Sequence, residues 1–150
     1  MRFVGYFTAE IGLWSKLHTY SGGLGVLAGD HVKSAADAGL PLVAMTILYR
    51  KGYGKQSLDA DGRQSETYPE IDPTKYLFDT KIEISLPLDE TLIHAKIWKS
   101  EVFGTSGKMV PVFFLDTLHE KNSPEHQELG MTLYGGDDST RIRQEYLLGV

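Results

Sequence analysis

Apolar residues change their spacing several times along the chain, and each change marks an element. Residues 4–9 form a short β-favouring run, which predicts a buried strand. The next segment, "EIGLWSKLHTY", keeps neither strand nor helix period and reads as irregular. From Leu24 the spacing becomes helical. Leu24, Leu27, Ala28, Val32, Ala35 and Ala36 share one stripe, while Asp30, Lys33, Ser34 and Asp37 lie away from it. "AGLP" stops the pattern, with Gly39 placed to be the C′ residue and Pro41 unable to continue the helix. Residues 40–49, "LPLVAMTILY", are an unbroken apolar run of strand length, as in a strand covered on both faces. A strand, helix, strand unit predicts parallel pairing with a right-handed crossover.

The middle of the chain reads differently. "YGKQSLDADGRQSETY" holds Asp61-Gly62 between two polar, strand-like arms and predicts a hairpin. "KIEISLPL" alternates, with Ile82, Ile84 and Leu86 on one face. "LIHAKIWKSEVF" and "MVPVFFLD" add two strands across the turn "GTSGK". "TLHEKNSPEHQELGM" is loop-like, with Ser123-Pro124 suited to start a short helical turn. "DDSTRIRQEYLLGV" predicts a last helix, with acids at its start and Arg141 and Glu145 at the spacing of a solvated ion pair. That pattern breaks off with Tyr146, Leu147, Leu148 and Val150 still unpartnered, so the chain is expected to be a fragment.

The bulk numbers narrow the class. At 150 residues, with 41% hydrophobic and 23% charged residues, the chain fits one soluble globular unit. A net charge of −5, with both signs interspersed, gives no basic surface for nucleic acid. The absence of cysteine excludes a disulfide framework and thiolate metal sites and suits a reducing compartment. No apolar run is long enough to span a membrane, and the N-terminus lacks the apolar core of a secretory signal.

Gly22, Gly23, Gly25 and Gly29 precede or open the first helix. A helix start offers unpaired N–H groups and the positive end of the dipole, and Gly22 and Gly23 keep side chains away from it, so an anion or sugar can approach. "GLGVLA" also fits the dinucleotide pattern G-x-G-x-x-A. That mechanism needs a tight turn directly after the first strand and an acid after the second. Here a long connection comes first, and Arg50 and Lys51 stand where the acid belongs.

Taken in order, "SGGLGVLAGDH", "GLPLV", "LYRKGYGKQ", "LDADG" and "LYGGDDSTRIRQEY" resemble the α-glucan phosphorylases (glycogen, starch and maltodextrin), specifically their shorter bacterial and archaeal branch. The likeness runs from about Phe3 to the last residue and covers only the front of a phosphorylase, whose chains are several times longer. It implies an α/β fold: the Rossmann-like N-terminal half of a GT-B architecture, with a mixed sheet and β-hairpin insertions. Residues 1–150 are then part of the glucan-side domain, and the pyridoxal-phosphate domain lies outside the chain.

The chemistry so implied is reversible phosphorolysis of α-1,4-glucan or maltodextrin by inorganic phosphate, releasing glucose 1-phosphate. The implied cofactor is pyridoxal 5′-phosphate on a lysine beyond residue 150, so none of Lys16, Lys33, Lys51 or Lys55 is nominated and no catalytic residue is expected in the chain. The resemblance carries over Gly22, Gly23 and Leu24 as the glycine loop, with amides toward phosphate and the leucine against the glucosyl ring. It carries over Asp137 and Asp138 in the loop gating the cleft, Arg141 just after it, and Glu10 as a cleft-lining glutamate. It further implies a cytoplasmic enzyme, often a homodimer, with no metal, nucleic acid or membrane partner. Ser21, Trp14, His18 and "LDTLHEKN" depart from the family pattern. Two other readings stay open: a stand-alone α/β module binding a sugar or anion, and a nucleotide-sugar glucan synthase, which carries a lysine where this chain has Tyr20.

Overall fold

The computed structural model describes residues 2–149. Five strands form one mixed sheet: β1 (Val4–Phe7), β2 (Leu42–Ile47), β5 (Phe78–Leu88), β6 (Thr91–Phe103) and β7 (Met109–Asp116). Their order is β1-β2-β7-β6-β5, with β1, β2 and β7 parallel and β5–β6–β7 an antiparallel meander. A separate hairpin, β3 (Lys55–Leu58) and β4 (Gln64–Thr67), turns at Asp61-Gly62 as its sequence predicts, with Gly62 at φ +77°. Helix α1 (Gly23–Asp37) covers one face of the sheet, and α3 (Asp138–Gly149) covers the other, beside the short α2 (Pro124–Glu128).

Two apolar clusters fill the spaces between these layers. Val32, Ala35 and Ala36 of α1 meet Leu42, Ala44, Val112 and Phe114 on one face. Leu147 and Leu148 of α3 meet Ile47, Ile93, Ala95 and Leu115 on the other. β2 contributes to both, which is why its run is unbroken. Val150 lies outside the described residues.

Two expectations need correction. The first strand is largely exposed: it lies at the sheet edge, only Tyr6 packs against α1, at His31, and Val4 and Phe7 remain more than half accessible. The stripe of α1 is also rotated. Its buried residues are Gly25, Ala28, Gly29, Val32, Ala35 and Ala36, while Leu24 and Leu27 face outward. Glycine lets this helix sit so close to its neighbours that the small residues, and not the leucines, define the inner face. At the far end Gly39, at φ +67°, closes α1: its N–H donates to Ala36 O and that of Leu40 to Ala35 O.

Candidate functional site

The parallel strands β1, β2 and β7 point their carboxyl ends toward one edge of the molecule, and three irregular segments meet there. The first is residues 8–22. Ile11 N–H donates to Thr19 O and the Thr19 hydroxyl to Ile11 O, closing a loop that buries Ile11 and Leu17. The second is residues 48–54, where Gly52 lies under His18; a methyl there would stand 2.2 Å from the His18 carbonyl oxygen. The third is residues 129–137. Arg50 and Lys51 N–H donate to Gly130 and Met131 O, and Leu133 N–H donates to Gly52 O.

The glycines of the first helix divide into two pairs. Gly22 is the N-cap, with no side chain capping the first turn, and a Cβ at Gly22 or Gly23 would meet nothing within 4 Å. The N–H groups of this turn lack intrahelical partners, and Gly22, Gly23 and Leu24 are exposed. Gly25 and Gly29 are packing glycines. A Cβ on Gly25 would lie 2.3 Å from Tyr20 Cβ, and one on Gly29 would lie 2.1 Å from the Gly12 carbonyl oxygen.

Glu10 lies beneath this turn. It is 2% exposed, so its carboxylate is buried beneath the surface. Its Oε2 accepts the Ser21 N–H at 2.6 Å and the Ser21 hydroxyl at 3.4 Å. Its Oε1 accepts the Tyr134 hydroxyl at 2.9 Å. The carboxylate thus ties the residue before Gly22 to the residue before Gly135-Gly136. Burial, then the Glu10 hydrogen bond and the nearby charges of Glu10 and Glu145, push the Tyr134 phenol up to about 12, and Arg141 opposes the rise.

The remaining candidates stand at the start of α3. Asp137 Oδ1 accepts the Thr140 N–H at 2.9 Å and the Thr140 hydroxyl at 3.0 Å, which caps the helix and holds the carboxyl below its ordinary value. Asp138 and Arg141 are exposed. Among the described residues Arg141 forms no ion pair, so the expected partnership with Glu145 is not made. Arg143 carries the ionic contacts of this helix instead, to Asp89 at 3.1 Å and to Glu125.

Several aromatic and basic residues are already committed. Arg50 turns inward, 3.7 Å from the buried Asp116 and donating to Ile71 O at 3.1 Å, so it does not reach out toward a ribose phosphate. Trp98 is buried and donates to Asp116 Oδ2 at 2.9 Å; Tyr49 is buried and its phenol is pushed up, chiefly by burial. Tyr53, Tyr68 and Tyr134 are accessible and, with Glu66, line a cleft of about 260 Å³ between the hairpin and residues 132–135. Sequence reasoning passed over Tyr134. The signal was its place before a glycine pair, where its φ of 60° is unusual for a residue with a side chain.

This frame is that of an open, partly parallel α/β domain, a class that receives ligands outside the carboxyl ends of its strands. No family model matches the chain. Individual relatives do. It is 43% identical to the glycogen phosphorylase of Mycobacterium tuberculosis, over 98% of this chain and 17% of that protein. It is 40% identical to the maltodextrin phosphorylase of Thermococcus litoralis, over 97% of this chain and 18% of that protein. It is 32% identical to the glycogen phosphorylase of Aquifex aeolicus, over 96% of this chain and 21% of that protein. The chain is homologous, along nearly all of its length, to a segment of the glycogen and maltodextrin phosphorylases, and it spans about a fifth of their length.

Proposed function

We propose that this chain is the N-terminal portion of an α-glucan phosphorylase and forms the glycine-loop wall of its cleft. The reaction is reversible phosphorolysis: inorganic phosphate takes the terminal glucosyl unit of an α-1,4-glucan and releases glucose 1-phosphate. The observation that carries this reading is the open first turn of α1 at the carboxyl edge of the parallel strands, in a chain 40–43% identical to phosphorylases. Gly22 and Gly23 leave the amides accessible to an anion, and Leu24, half exposed, offers an apolar surface to a sugar ring. Asp137, Asp138 and Arg141 line the adjacent loop, and Glu10 supports both from below.

The larger architecture follows from the same reading: residues 1–150 belong to the glucan-side half of a GT-B enzyme of the cytoplasm, often dimeric. Among the described residues no helix is long and apolar enough to cross a membrane. Pyridoxal 5′-phosphate, when bound, supplies proton-transfer chemistry through its phosphate. In this reading the lysine that forms its Schiff base belongs to another part of the protein, and Lys16, Lys33, Lys51 and Lys55 are not assigned that role.

The test is to incubate the protein that carries this chain with maltodextrin and inorganic phosphate and to measure glucose 1-phosphate. Product is expected from that protein and none from residues 1–150 alone. Transfer from a nucleotide sugar without phosphorolysis overturns the reading.

A further inference from the structure

We infer that Glu10 and Tyr134 form a latch that holds the first turn of α1 and the 134–137 loop in one arrangement, which makes Glu10 a positioning residue and not a substrate ligand. The latch rests on geometry; its effect on turnover rests on the proposed function.

Both carboxylate oxygens are occupied. Oε2 takes the Ser21 backbone at 2.6 Å, and Oε1 takes the Tyr134 hydroxyl at 2.9 Å. Glu10 is 2% exposed, so neither oxygen is presented to a ligand. Among the described residues no lysine or arginine pairs with it; hydrogen-bond donors and the adjacent helix start stabilise its charge. Hydrogen bonds to an ionised acceptor are strong, and losing one leaves part of a buried charge unsatisfied.

The neighbourhood is built to fit. A Cβ at Gly25 would collide with Tyr20 Cβ at 2.3 Å and crowd Glu10 Oε2 at 3.2 Å, so the absence of a side chain there lets the helix pack over Tyr20 and close to the carboxylate. Tyr134 adopts φ 60°, a conformation that persists where its surroundings fix it. The loop that follows is closely packed, since a Cβ on Gly135 or Gly136 would overlap Thr132 or Thr140. A shift of the 134–137 loop therefore pulls, through one carboxylate, on the residue that precedes Gly22-Gly23.

The experiment is hydrogen–deuterium exchange on the protein carrying this chain, as wild type and as Tyr134→Phe, Glu10→Gln and Glu10→Ala, with phosphorolysis kinetics in parallel. Tyr134→Phe is expected to speed exchange of the amides of residues 21–25 about tenfold, the loss of one bond to a charged group. Glu10→Ala speeds it further. Glu10→Gln restores it, because its amide can accept from Ser21 and donate to the Tyr134 oxygen. If Glu10→Ala does not fold, the other two variants decide. Unchanged exchange at residues 21–25 in Tyr134→Phe overturns the latch, whatever the activity. In kinetics, Tyr134→Phe is expected to raise KM for phosphate more than it lowers kcat, and Glu10→Gln to recover turnover relative to Glu10→Ala. If Glu10→Gln restores exchange but stays as inactive as Glu10→Ala, Glu10 acts on substrate through its charge and the positioning role falls. Faster exchange in Tyr134→Phe, where the wild-type protein performs no phosphorolysis, supports the latch and removes the proposed function.

Discussion

A methyl group added at Gly29 would sit 2.1 Å from the Gly12 carbonyl oxygen, and neither backbone has room to yield. Alanine normally favours a helix interior by about 0.5–1 kcal/mol over glycine. Overpacking outweighs that gain here, so Gly29→Ala is expected to lower stability by about 2 kcal/mol, read as a lower urea midpoint. Gly23→Ala is the contrast. Its Cβ enters open space, so the midpoint holds or rises, while affinity for phosphate falls if this turn is the anion site. A drop in midpoint for Gly23→Ala would contradict the packing described. Tyr134 gives a second residue-level prediction. Its phenol is held up to about 12 against 10 for a free tyrosine. The folded state therefore keeps a proton that the unfolded state loses. This contribution to stability is complete below pH 10 and is lost as pH climbs toward 12. Ultraviolet or NMR titration is expected to show Tyr134 as a late tyrosine alongside the buried Tyr49, and to show Tyr134 titrating earlier in Glu10→Gln.

Between elements, the turn joining β6 and β7 is what finishes α1. Thr105 N–H donates to Asp37 Oδ1 at 2.7 Å, and the Ser106 hydroxyl donates to Ala36 O at 2.7 Å. A Cβ at Gly104 would lie 2.2 Å from the Ala36 carbonyl. Ser106→Ala is expected to cost about 1 kcal/mol, the net worth of a single hydrogen bond. Gly104→Ala is expected to cost more, with amide exchange rising along the last turn of α1. At the other helix, Asp137→Ala frays the start of α3 through loss of its contacts to Thr140, seen as faster exchange there. Much of this scale was legible in the sequence. Asp61-Gly62 marked the hairpin turn, Gly39 marked the helix end, and Ser123-Pro124 marked α2, because each depends on local backbone chemistry. The rotated face of α1 was not legible. Leu24 and Leu27 look like core by hydrophobicity, and only the proximity of Gly12 and Tyr20 decides that the glycines face inward. Tyr134 was missed for the same reason: its partner Glu10 is 124 positions away, beyond any spacing rule.

For the molecule as a whole, the family resemblance implied the mixed sheet, but nothing in the strand pattern said which strand would be the edge. Among the described residues β1 pairs only with β2, and Phe3, Val4 and Phe7 are all more than half accessible. Leu24, Val26 and Leu27 add apolar area on the outer side of α1. An open strand edge and a large apolar surface promote association. Residues 1–150 expressed alone are expected to run larger than a monomer by light scattering at high micromolar concentration. A strictly monomeric profile under those conditions would contradict this.

The distance between Glu10 and Tyr134 along the chain also sets a timetable for synthesis. At ~5–20 residues per second, the 124 positions between them take on the order of ten seconds to emerge from a ribosome. β1, α1, β2 and the meander that ends in β7 are made before Tyr134, but Glu10 still lacks the phenol. Its carboxylate must stay hydrated through that interval, which keeps residues 8–22 from settling. The cleft edge of this segment is thus among the last parts of it to form during translation, although its first residue is among the earliest made.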